Sequence, residues 1–140
     1  MSDDQIRRFL RGRGVADHVV DAGLDGLVGA WERVVATVEG GYPLGIDDYL
    51  NDLDIRQIIE VVVSTMPTSD GPLIDRLRAA DARMRAATVP APRCVWGDPA
   101  ASLSDRRNWW YFVIPPNPGE ELADGLARQG FSGPPSGKSP

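Results

Sequence analysis

The sequence predicts a mainly α fold of the α+β type: four to five helices around one core, with a small C-terminal antiparallel β-hairpin. Three observations carry that reading. Apolar residues recur every three or four positions through most of the first 88 residues, the period of a helix with one buried face. Glycine and proline punctuate that pattern at RGRG, EGGYPLG and SDGP. After Thr88 the period is lost, proline appears at six positions up to Pro118, and an aromatic, β-branched run appears instead.

The first predicted helix runs from Ser2 to about Arg11, with Ile6, Phe9 and Leu10 at helical spacing and Gly12 and Gly14 as stops. The second is the strongest signal. Val20, Leu24, Leu27, Val28, Trp31, Val34, Val35 and Val38 form one stripe from Asp17 to Glu39. Gly23, Gly26 and Gly29 weaken it and mark a bend or a close helix contact. Residues 46–66 contain two apolar faces whose phase slips between Leu53 and Asp54. A short helix followed by a longer one capped by Asp54 and Gln57 is therefore expected, with the β-branched run at 58–63 leaving a buried strand open. The fourth helix starts at Pro72 behind Asp70 and buries Leu73, Leu77, Ala80, Met84 and Ala87.

The hairpin is expected near 93–114, pairing a strand at Arg93–Trp96 with one at Asn108–Ile114. NPGEE then opens a last helix, with Asn117 and Glu120 as a capping box and Leu122 and Leu126 as its apolar edge. Residues 1–129 are expected to form one domain, and 130–140 a flexible tail.

Charge narrows the function. The chain has 140 residues and a formal net charge of −5. Residues 1–70 hold thirteen acidic and six basic side chains, and residues 71–140 seven acidic and nine basic. Phosphate backbones repel such a surface, so nucleic acid is not the expected partner and a basic protein is. The dense segment is Glu39–Glu60, with six acids and one base. Its Asp47, Asp48, Asp52 and Asp54 are the candidate partner-binding carboxylates, with Trp110 and Phe112 as aromatic anchors on the outer face of the strand. The plain structural alternatives are helix capping for the acids and core packing for the aromatics.

Catalytic motifs are absent. DDYLND is similar to the Asp-rich magnesium motifs of isoprenoid synthases, but no second motif follows and the chain is far shorter than that fold. His18 and Cys94 stand alone, which is too few ligands for a zinc site, and no metal or cofactor is expected. In GPPSGKS the two glycines, Gly133 and Gly137, are four positions apart rather than the five a P-loop needs, and no helix is expected to follow, so it is not a P-loop. Arg7, Arg8, Arg11 and Arg13 make a basic segment balanced by Asp3 and Asp4. A lone cysteine, no apolar leader and no membrane-length apolar run fit a cytoplasmic protein, and the Arg- and Ala-rich composition fits a bacterial one. The expectation is a small acidic inhibitor of the immunity-protein or antitoxin kind. The alternatives are a structural subunit, such as a homodimer, joined through the aromatic strand, and a small-ligand enzyme.

Overall fold

A computed structural model describes residues 3–14, 17–65, 71–91, 94–95, 108–128 and 130. Five helices and one two-stranded antiparallel sheet are present among them. The helices are α1 (Asp3–Gly12), α2 (Asp17–Glu39), α3 (Ile46–Ser64), α4 (Pro72–Ala86) and α5 (Glu120–Arg128). The sheet pairs β1 (Val89–Pro90) with β2 (Val113–Ile114), in a register that sets Val89 opposite Ile114. The mainly α class with a small C-terminal hairpin is what the pattern predicts.

The central helix is α2, packed against α1, α3 and α4. Its stripe is buried from Leu27 through Val28, Trp31, Val34 and Val35 to Val38. Burying each such side chain contributes about 1.5–3 kcal/mol. One apolar cluster extends from Leu10 of α1 to Leu126 of α5. The predicted bend is real and sits at Gly23, where φ is 66° and ψ −143°. That backbone lies where side chains with a Cβ are strained, so α2 is two helical pieces joined by a glycine.

Charged side chains join the helices from outside the core. Arg76 of α4 bonds Glu32 and Asp25 of α2, and Arg83 bonds Glu39. Between α3 and α4 the pairing is buried. Arg56, 6% exposed, donates to both oxygens of Asp81 and to Glu60, and the Trp31 indole donates to Asp81 as well. A buried guanidinium is tolerated only with such partners.

Four details depart from the expectations. The first strand of the hairpin is Val89–Pro90 rather than Arg93–Trp96, since Cys94 and Val95 are not strand and the pairing to β2 is made as soon as the chain leaves α4. Residues 46–64 form one continuous helix, neither two helices nor a strand. The apparent phase slip arises because α3 is buried on more than one side: Ile46, Tyr49 and Leu53 lie on one helical face, and the buried Ile59 and Val62 on another. Asp54 is therefore mid-helix and caps nothing. The aromatic run is not a strand. Trp109–Phe112 is a single 3-10 turn, and strand begins only at Val113. A strand would send two of four large rings to each face, whereas the turn buries Trp110, Tyr111 and Phe112 together. Finally, α5 begins at Glu120 with Gly119, whose carbonyl accepts from Ala123, at its cap position in place of Asn117. The expected strand ends Arg93 and Trp96, the cap Asp70 and the tail 131–140 lie outside the described residues.

Candidate functional site

The acidic segment becomes a site through the start of α3. Gly45 is extended at the cap position, with φ −90° and ψ −177°. Its N–H donates to the Asp48 carboxylate at 3.3 Å, and its carbonyl accepts from Tyr49 at 3.0 Å. Asp47 and Asp48 thus sit in the first turn, where the positive end of the helix dipole favours them. Both are exposed.

The last helix completes the site. Gly119 donates to the Tyr42 carbonyl at 3.0 Å, fixing the start of α5 against the turn before α3. Gly125 faces Ile46 so closely that a Cβ there would lie 2.5 Å from the isoleucine side chain. Only glycine permits that approach. It brings Glu121 and Asp124 beside Asp47 and Asp48. A Cβ built on Gly45 would lie 3.2 Å from a Glu121 oxygen and 3.9 Å from an Asp48 oxygen. The result is an open groove of about 250 Å³ lined by these four carboxylates, Gly45, Ile46 and Arg128.

The other candidate residues are placed differently. Asp52 accepts from the Tyr42 hydroxyl at 2.5 Å and Asp54 from the Tyr111 hydroxyl at 2.6 Å. Together with the Tyr49 hydroxyl on the Val113 carbonyl at 2.6 Å, these bonds tie the flanking loops to α3. Burial, then the neighbouring Asp48 charge, pushes the Asp52 carboxyl above its ordinary range, while the Tyr42 hydrogen bond opposes the shift. Burial and the Asp52 carboxylate push the Tyr42 hydroxyl upward. The four aspartates therefore divide into an outward pair, Asp47 and Asp48, and a pair spent on tyrosines.

Trp110 and Phe112 are 2% and 8% exposed, which corrects their placement on an outer face. The Arg56 guanidinium lies over the Trp110 ring at 4.5 Å, and Trp109 meets Trp110 edge to face at 5.8 Å. The partly exposed member of the run is Trp109, covered by Arg85 at 4.4 Å.

Among the described residues no group of three or more His, Cys, Asp or Glu side chains is arranged to hold a metal ion. Cys94 is buried, and the side chain of His18 lies outside the description. In the basic segment, Arg7 pairs with Asp4, Arg11 with Asp21, and Arg13 lies over Phe9. No described helix is long and apolar enough to cross a membrane. Compared with known protein families, curated proteins and solved structures, the chain matches none.

Sequence reasoning missed Glu121 and Asp124. The available signal was Gly125 beside Leu126 in the apolar edge of α5, a small residue where a helix would otherwise present bulk. Which helix it meets is not written in the spacing.

Proposed function

We propose that this chain is a small acidic protein-binding module that docks a basic partner at the α3–α5 groove, in the manner of an immunity-type or antitoxin-type inhibitor. One observation carries the reading: Asp47, Asp48, Glu121 and Asp124 line one concave surface against a single guanidinium, Arg128. Like charges gathered this way repel one another across the groove. They do create a local negative potential that steers a cationic surface and rejects an anionic one. Asp52 and Asp54 act from behind, holding α3 in place through Tyr42 and Tyr111. Inhibition would follow by occlusion, with arginines or lysines of the partner entering the groove. A single cysteine, the buried Cys94, and a net charge of −5 are compatible with a reducing bacterial cytoplasm as the place of action.

The test uses two baits in the source lysate, the natural chain and a variant carrying Asp47→Lys, Asp48→Lys, Glu121→Lys and Asp124→Lys. A basic protein held in stoichiometric amount by the first, released by salt and absent from the second, is expected. With that partner purified, the four reversals should weaken binding by at least about 100-fold, since exposed pairs contribute up to about 1 kcal/mol each and reversal adds repulsion. Equal capture by both baits would end this reading.

A further inference from the structure

A second groove, of about 300 Å³, lies between the end of α4, β1 and the aromatic turn. Its walls are apolar: Val89, Pro90, Phe112 and Val113, with Trp109 at one end. Its polar groups are nearly all committed. The Thr88 hydroxyl donates to the Met84 carbonyl at 2.7 Å. The Phe112 carbonyl accepts from Ala91 at 2.8 Å, and the Val113 carbonyl accepts from Tyr49. Val89 is paired with Ile114, and Pro90 has no N–H.

Arg85 is the exception. Its guanidinium carbon lies over the Trp109 ring, 4.4 Å from the centroid, and among the described residues it meets no carboxylate at ion-pair distance. Its neighbours Arg76 and Arg83 on the same helix are neutralised by α2. A cation–π contact consumes none of the guanidinium's N–H donors in an ion pair, and those donors match a carboxylate in a two-point bond. The groove thus offers one cationic fork at the end of an apolar trough, and little else that is polar.

We infer that this groove binds a small monocarboxylate with a flat apolar body, its carboxylate on Arg85 and its body against Pro90, Phe112 and Val113. The volume is at the small end for ligand sites, room for about two fused rings. The site uses no residue of the acidic groove, so it stands or falls separately from the docking reading.

The probe is 2-naphthoate, titrated into the full chain by calorimetry, with the uncharged 2-naphthylmethanol as comparator. Naphthoate should bind about tenfold more tightly than the alcohol, the usual effect of a charge-assisted hydrogen bond. Arg85→Gln should remove that advantage while leaving the alcohol unchanged. Arg85 is exposed, so the fold should survive, and thermal melting checks this. Arg85→Lys, which keeps the charge but loses the fork, should fall between. Arg8→Gln, a cation on α1, should change nothing. The inference is overturned by equal affinity for acid and alcohol, by no saturable naphthoate binding up to its solubility, or by a loss in Arg8→Gln matching that in Arg85→Gln.

Discussion

The α2–α4 face and the α3–α5 groove treat charge in opposite ways. Along α2–α4 two arginines of α4 meet counterions across the helix interface, Arg76 with Glu32 and Asp25 and Arg83 with Glu39, and the buried Arg56 of α3 meets Asp81 of α4 just behind. At α3–α5 four carboxylates share one open groove with a single arginine. Both regions are helix–helix junctions, so the difference is not one of architecture. In the first, charge holds elements together. In the second, glycine and apolar contact hold them, through Gly125 on Ile46, and the exposed carboxylates Asp47 and Asp48 have, among the described residues, no cation of another helix but Arg128 beside them in the groove. The helix dipole at α3 lowers the cost of keeping Asp47 and Asp48 there.

Breaking each region should show that contrast. The largest effect is expected from Asp81→Ala, which leaves Arg56 buried without its bidentate partner and Trp31 without an acceptor. Denaturant unfolding should show a loss of about 3–5 kcal/mol. A loss under about 1 kcal/mol would mean that water reaches Arg56 and that the junction is not held this way. Next is Gly125→Ala, whose new Cβ would meet Ile46 at 2.5 Å. Overpacking of this kind costs about 1–3 kcal/mol, part of it offset by the better helix propensity of alanine. A stabilised variant would show that α5 can move off α3 freely. Tyr111→Phe should cost about 1 kcal/mol, the bond to Asp54.

The pH response sharpens the comparison because its sign differs between the regions. Asp52 has a raised carboxyl pKa, so the folded chain binds that proton more tightly than the unfolded one. Its ionisation therefore weakens the fold at neutral pH, and stability is regained as pH falls through the raised value. Asp52→Asn keeps an acceptor for Tyr42 and should be at least as stable as the natural chain at pH 7, with the difference shrinking toward pH 4. Glu32 has the opposite sign. Hydrogen bonding to Arg76 lowers its pKa, so its contribution is complete above the ordinary 4.5 and is lost as pH falls through the lowered folded value. Unfolding midpoints of Asp52→Asn and Glu32→Gln across that range read both. The smallest effect belongs to the groove itself: Asp47→Asn with Asp48→Asn should shift stability by less than about 0.5 kcal/mol, since both are exposed. A large loss there would make the groove a structural feature.

Pairing through the sheet edge fares less well as an alternative. Pro90 occupies one of the two positions of β1 and has no N–H to give an added strand. The aromatic rings that would have lined such a contact, Trp110 and Phe112, are inside.

Much of the helical architecture was legible in the chain because a buried helical face leaves a periodic trace within its own residues. The stripe from Leu24 to Val38 identifies most of α2, and of the glycines at 23, 26 and 29 the first is where it bends. Pro72 opens α4, and Leu122 with Leu126 defines the buried edge of α5. Periodicity fails where a segment is buried on several sides or is too short to repeat. That is why α3 reads as two elements and the aromatic turn reads as a strand. The division of the aspartates was invisible for a related reason. Asp52 and Asp54 are drawn inward by hydroxyls 10 residues before and 57 residues after them in the chain. Asp47 and Asp48 gain Glu121 and Asp124 as neighbours only because Gly125 lets α5 close on Ile46. Local spacing determined the helices; contacts between residues far apart in the chain decided which charges cohere and which face outward.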